Sequence, residues 1–393
     1  MTSTNPFDDT RTLLISLYMT LIGYGVLVGI PVISTAWVTL LGFSEVEVGR
    51  VAGADLGGLS AGAVLAALLI SQVNRRVLIV LGLSIAVTAN LLCLYFIDYS
   101  TVLWLRLLAG LGSGIYTATA VAALGARSNP ALAYNLMLFA FAFSQALEMQ
   151  VLPLLSMNGI YLTFVGCFLL TLPFLTWMPK HAAAPAEASF EAKAAFEPQV
   201  TPAASYLPWL GLAAIVVTYV NIGAYWTYIE LAALDAQITP DWINQVLVWA
   251  SFCSIVGCLF ATLLSDRFGL GRPLMVTLVM MSLIVGMLAL GITDTKLLVS
   301  VFTFNLLWIF IDVYQMSTVA SVDRSGRFAA LMPGAQGLGQ IIGPNLAASL
   351  LGGELGYPAV FLMCSVAALL GMLIYGALYF SLSRTGHQSA IKV

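Results

Sequence analysis

Five ionisable side chains interrupt long apolar runs in this chain: Asp55, Arg106, Glu148, Glu230 and Asp312. A charge at membrane depth costs on the order of 3 kcal/mol by insertion scales, so each of these needs a partner, water or a task. Counted from Thr101 at 1.5 Å per helical residue, Arg106 stands roughly 8 Å into its run. The same count puts Glu148 roughly 13 Å and Asp55 roughly 14–15 Å below that surface. A guanidinium on a long stem bridges such a difference. Arg106 is therefore expected to pair with Glu148, with Asp55 as a third member, and a group of this kind can couple a proton to another event. The competing reading lets Arg106 snorkel to the headgroups. Asp312 and Glu230 have no intramembrane cation in their half of the chain. A lone carboxylate there suits a proton, a cation or a polyhydroxy solute, whereas a multiply charged anion would call for several cations. Glu230, close to the end of its run, also has the plainer option of reaching the surface.

Neutral polar residues fall in strips around these charges. Arg106, Gly110, Ser113 and Thr117 recur at helical spacing, as do Thr218, Asn221, Tyr225 and Tyr228, and then Asn305, Trp308, Asp312 and Gln315. Intervals of three and four residues place each set on one helix face. Interhelical hydrogen bonding explains any one strip, while three together point to a path for a solute. Asp312, Asn305, Trp308, Gln315, Asn221, Tyr225, Gln145 and Gln340 are the residues expected to line it.

These residues are carried by apolar elements. The chain is 393 residues long, 60% hydrophobic and only 8% charged, where a soluble chain carries about a quarter charged residues. Twelve stretches of the length needed to cross a bilayer are readable: 12–39, 46–71, 76–97, 101–126, 130–156, 159–179, 207–233, 241–265, 273–293, 297–322, 328–351 and 357–382. They are called spans 1 to 12 below. The first is too long for a cleaved signal and is expected to be retained. Charge at membrane depth falls on spans 2, 4, 5, 7 and 10 and avoids 3, 6, 9 and 12, so the last four are expected to face lipid.

With twelve spans both tails share a side with the even-to-odd connections. That side holds Arg11, Arg75, Arg76, Arg127, Lys180, Lys193, Arg267, Arg272, Arg324, Arg327, Arg384 and Lys392, which is 12 of the 15 basic residues. The positive-inside rule makes it cytoplasmic. An Ala/Pro-rich segment, 180–206, separates six spans (1–179) from six (207–393) and reads as a cytoplasmic linker. A shift of 195 residues superimposes Ser71 on Asp266, span 1 on 207–234 and Gln145 on Gln340. Two copies of one topology are a known transporter plan.

On these residues the chain resembles the major facilitator superfamily over essentially its whole length. The string Arg106-x-x-x-Gly110-x-Gly112-x-Gly114 is similar to the family's arginine motif, which is associated with proton coupling in many members. Asp266-Arg267-x-Gly269, with Arg272, is similar to its cytoplasmic loop motif, thought to lock the inner gate. The counterpart after span 2 is degenerate and keeps only Arg75 and Arg76. The Gly-Pro signature that drug/proton antiporters of the family carry in span 5 is missing from Ser144-Gln-Ala-Leu-Glu148-Met, while a similar string, Gly339-Gln-Ile-Ile-Gly343-Pro344, stands in span 11. The resemblance implies an all-α fold of two pseudo-symmetric six-helix bundles that rock around a central site.

Other chemistries lack their parts. Gly58-Leu-Ser60-Ala-Gly62 matches a nucleophile-elbow pattern but falls inside span 2 with no strand nearby, so close helix contact explains it better. Both histidines, His181 and His387, lie outside the spans, and the five cysteines sit in apolar runs without metal or redox spacing. No cofactor, metal or nucleic acid is expected. The expected function is secondary transport of a small organic solute, proton-coupled, by a monomer with both termini cytoplasmic, in a bacterial inner membrane. The alternatives are an uncoupled facilitator of the same fold and, from another class, an intramembrane enzyme or receptor.

Overall fold

A computed structural model describes residues 5–180, 206–323 and 327–384, without the side chains of residues 131, 262, 264–268, 327, 329, 330, 383 and 384. The expected linker lies outside the described residues. Among those described the chain is helical and has no strand.

Span 1 runs as Thr10–Gly23 and Gly25–Leu41, span 2 as Glu45–Leu69, span 3 as Arg75–Leu92 and span 4 as Tyr99–Gly125. Span 5 is Pro130–Val151 and span 6 begins as Met157–Leu169. Span 7 is Leu207–Asp235, and span 8 is split into Pro240–Ala250 and Cys253–Phe268. Spans 9 to 12 are Gly271–Gly286, Asp294–Val322, Arg327–Gly352 and Gly356–Arg384. By length and composition, eleven of these passes are apolar enough to cross a membrane. Span 11 is long enough, but glycines, Pro333, Pro344, Gln336, Gln340 and Asn345 dilute it. The chain is a multi-pass integral membrane protein. Its described ends and the even-to-odd connections gather at one end of the molecule, the termini end; the other is the far end.

The two interruptions have local causes. In span 1 Tyr24 leaves helical geometry at φ −90°, ψ 1° between two glycines, and Ser113 Oγ donates to the Gly23 carbonyl at 2.6 Å. In span 8 Ser251 Oγ donates to the Leu247 carbonyl at 3.0 Å, a back-bond that bends helices. Helix starts are capped: Ser44 and Glu47 form a reciprocal capping box on span 2. Asp98 caps span 4 by accepting from the Thr101 N–H at 2.9 Å, and its bonds from Thr101 and Ser100 hold its carboxyl below the usual range.

Glycine sets the helix spacing. A Cβ on Gly58 or Gly62 would lie 2.1 Å from the Leu107 or Leu111 carbonyl oxygen, and one on Gly110 or Gly114 would lie 2.0 Å from that of Asp55 or Leu59. Spans 2 and 4 thus meet backbone to backbone, as the small-residue reading of Gly58 to Gly62 expects. Gly112 faces the opposite way, onto Gly82 and Ala86 of span 3. The same contact recurs 195 residues later, where a Cβ on Gly257 would stand 2.1 Å from the Leu306 oxygen, as Gly62 does from Leu111.

Candidate functional site

The glycine interlock decides the partner of Arg106. With Gly110 seated on the Asp55 backbone, the side chain one turn earlier on span 4 reaches the Asp55 carboxylate: Nε donates to Oδ2 at 2.8 Å and NH2 to the same oxygen. NH1 donates to Asn90 Oδ1 of span 3 at 2.8 Å. The guanidinium carbon lies 5.6 Å from the ring of Tyr161 on span 6, whose hydroxyl accepts from Trp37 Nε1 of span 1 at 3.1 Å. Arg106 is 2% exposed. It therefore neither snorkels nor pairs with Glu148. That expectation is corrected, because depth was counted along each helix without knowing which helices touch. Spans 3 and 6, expected to face lipid, also turn polar side chains inward here.

Glu148 lies elsewhere. Its Oε1 accepts from Ser144 Oγ at 3.3 Å, its Oε2 is buried without a hydrogen-bond partner, and no cation of the described residues faces it. The carboxylate fills the space left by Gly29 of span 1, where a Cβ would come 2.7 Å from Oε2, and it borders Gly25, whose Cβ position lies 2.6 Å from the Phe164 ring of span 6 and 3.3 Å from Oε1. The 195-residue shift carries Gly25, Gly29 and Glu148 onto Val220, Ala224 and Gly343. There Gly343 presses on the backbone of span 7, its Cβ position 2.4 Å from the Val220 oxygen and 2.8 Å from the Ala224 nitrogen. One copy closes the contact with glycine, and the other opens it and inserts an acid.

The expected solute-lining residues separate into two environments. At mid-membrane, Gln145 Nε2 of span 5 donates to Asn305 Oδ1 of span 10 at 3.1 Å. Asp312 is half-buried, and the Tyr219 hydroxyl of span 7 lies 2.7 and 2.8 Å from its two oxygens. Trp308 and Trp226 meet edge to face at 6.1 Å, and Trp226 Nε1 donates to the Val28 carbonyl of span 1 at 3.3 Å. Gln340 is buried where span 11 crosses Gly223. The strip on span 7 turns instead into helix packing. Tyr225 hydrogen-bonds Ser300 at 2.9 Å and stacks on Phe304, and Thr218 crowds Gly371 of span 12. Asn221 and Gln315 are fully buried with no hydrogen-bond partner among the described residues. The span 4 strip is likewise consumed by spans 1 and 2. Tyr219 and Trp226 escaped the sequence reading, although the shift of 195 that maps Tyr24 onto Tyr219 marked the former.

The first six and last six spans are tied at the far end. Arg50 of span 2 donates to Asn345 Oδ1 at 2.8 Å and Ser349 Oγ at 2.9 Å of span 11. The Tyr357 hydroxyl donates to Glu45 Oε1 at 2.5 Å, and that of Tyr228 to the Glu45 carbonyl at 2.7 Å. Of these only Tyr228 stands in a strip read from sequence, where it is expected to face a solute path; hydroxyls and amides near helix ends are too common to mark the others. Of the residues assigned to gating, Gly269 ends a helix at φ +70°, a conformation that favours glycine, and Arg272 is exposed. The side chains of Asp266 and Arg267 lie outside the described residues. Arg76 donates from Nε to the Met178 carbonyl at 2.6 Å, and the Arg75 guanidinium lies 4.5 Å from the Phe7 ring. Both bind within the first six spans.

The Major Facilitator Superfamily model matches residues 12–324. No curated protein matches the chain. Solved structures with the same fold include a D-xylose–proton symporter (13% identity, TM-score 0.71, covering 93% of this chain and 96% of that one). The nucleoside transporter NupG shares 12% identity with a TM-score of 0.69, covering 94% and 99% of the two chains. The human organic anion transporter MFSD10 shares 15% identity with a TM-score of 0.65, covering 93% and 98%.

Proposed function

This chain belongs to the Major Facilitator Superfamily, and from that premise we propose that it is a proton-coupled secondary transporter of a small organic solute. Residues 1–179 and 207–393 act as two halves that rock about the mid-membrane residues Asp312, Tyr219, Trp308, Trp226, Gln145 and Asn305. The observation that carries the coupling is Glu148, a carboxylate in a spanning helix, without a cationic neighbour among the described residues, occupying room that span 1 clears with Gly29. A carboxylate in that setting takes up a proton when one half-cycle shields it and releases it when the other half-cycle wets it. Arg106 and Asp55 serve a different purpose in this reading: their closed pair braces spans 2, 3, 4 and 6. Asp266, Arg267, Gly269 and Arg272 lock the termini end when it closes. That end faces the cytoplasm of a bacterial inner membrane, as the basic residues gathered there favour.

A thermal-shift screen against sugars, nucleosides, organic anions and amines identifies the solute class. Purified protein in liposomes loaded with a pH dye then tests coupling. Solute added with no imposed gradient should move protons in the wild type, and Glu148→Gln should stop this while leaving solute exchange intact. Solute-driven proton movement that survives Glu148→Gln would refute the assignment. A facilitator is the second reading, favoured by the neutral pairing of Gln145 with Asn305 across the site, and it predicts no proton movement in either protein.

A further inference from the structure

We infer that the cavity between spans 2, 7 and 11 at the termini end is a binding site for the hydrocarbon tail of a bilayer lipid. Spans 2 and 11 run side by side, and the room at their glycines measures how closely. Near the far end a Cβ on Gly49 would stand 2.1 Å from the Tyr228 hydroxyl and 2.7 Å from the Pro344 oxygen, and one on Gly53 would stand 2.3 Å from Asn345 Nδ2. At mid-membrane a Cβ on Gly337 would come 1.9 Å from Ser60 Oγ. One turn further toward the termini the contact loosens: a Cβ on Gly334 would meet only Val64 Cγ2, at 3.9 Å. The helices part there, and a cavity of about 730 Å³ opens between them, backed by Leu212 and Val216 of span 7.

The lining names the occupant. Ser60 supplies the lone side-chain hydroxyl, already spent on the Leu56 carbonyl at 3.0 Å, and the Trp209 indole is the other polar group. A buried water needs two to four polar partners, so water and polar solutes find no footing. The volume lies in the ligand-pocket range of about 300–1,000 Å³. Its rim is exposed and apolar, with Leu68 at 66%, Trp209 at 59%, Leu338 at 53% and Leu331 at 47%. All four are exposed apolar side chains on spanning helices, a rim that suits contact with hydrocarbon, and a tryptophan near a span end suits the membrane interface. Ala61, Gly334 and Ala335 are small enough for the spans to come together once the cavity empties. The site is separate from Glu148 and Asp312, neither of which lines it. Expulsion of the tail when this end closes rests on the rocking proposed above.

The test uses the full chain in phosphatidylcholine vesicles containing a trace of phosphatidylcholine with a diazirine at mid-tail. After photolysis, label mapped by mass spectrometry should fall on the back wall, Leu212 and Val216, as well as on ordinary lipid-facing positions such as Leu283 and Leu362. Filling the cavity with Gly334→Leu and Ala335→Phe should remove the back-wall label and leave the other two positions unchanged. Wild-type label confined to the rim, or back-wall label that persists in a filled variant still labelled at Leu283, overturns the site. The wild-type map needs no variant to fold. Arg50→Ala, which weakens the far-end tie, should lower back-wall labelling. If it does not while the wild-type map stands and an Ala348→Cys reporter in the same variant shows the far end opened, expulsion of the tail by rocking is refuted and the binding site survives.

Discussion

Asp55 neutralises Arg106 because the glycines one turn along the helix let two backbones touch. Breaking such a pair leaves one buried charge unmatched, at a cost of about 3–5 kcal/mol. Asp55→Asn and Arg106→Gln should each lower the melting temperature of the purified protein sharply, and the double variant should recover part of the loss. Equal and additive losses would show that the contact at 2.8 Å is not coupled energetically. Glu148 carries no such structural burden. Glu148→Gln should leave the melting temperature near that of the wild type or raise it, while gradient-driven accumulation disappears and exchange persists across the pH range. The sequence told that both acids lie at membrane depth. Assigning them to different neighbours required knowing that Gly110 faces span 2 and that Gly29 faces span 5.

Helices in this chain are positioned by where a side chain is missing. Gly58→Leu or Gly110→Leu places carbon where a neighbouring carbonyl oxygen stands about 2 Å from the ideal Cβ, and the flanking backbone has nowhere to go. Overpacking costs at least about 1–3 kcal/mol, and expression as a monodisperse species should be lost. Gly166→Ala, with nothing within 4 Å, should be silent in the same gel-filtration assay. The far-end tie makes a different prediction. Hydrogen bonds from a charged donor contribute about 1.5–3 kcal/mol each, so Arg50→Ala should shift the resting equilibrium toward far-end opening by at least about tenfold. An Ala348→Cys reporter, buried against span 2 in this conformer, should then react faster with an impermeant maleimide. Unchanged reactivity would mean that the tie does not set the resting state. The glycines were visible in the sequence as small-residue strings, but the face each one presents was not.

At the scale of the molecule, twelve of the fifteen basic residues lie on the tails and even-to-odd connections, and charge near span ends orients a chain during insertion. A green fluorescent protein fused after Val393 should fluoresce in cells, and alkaline phosphatase fused there should be inactive. The reverse pattern would invert the molecule and exchange the roles assigned to its two ends. The internal repeat belongs to this scale too. The shift that aligns the two halves in sequence also aligns Gly62 and Leu111 with Gly257 and Leu306 in space. Against that background the exchange of Gly343 for Glu148 stands out.

Hydrophobic run lengths, the shift of 195 and the basic loops are one-dimensional properties, and they determined the all-α membrane fold and its family likeness. The physics behind them, the exclusion of polar backbone and charge from hydrocarbon, acts on each segment independently. Pairing does not. The partner of Arg106, the glycine-lined seat of Glu148, the burial of the span 7 strip and the parting of spans 2 and 11 below Ser60 depend on which faces meet. Close packing between helices decides that, and hydropathy does not record it.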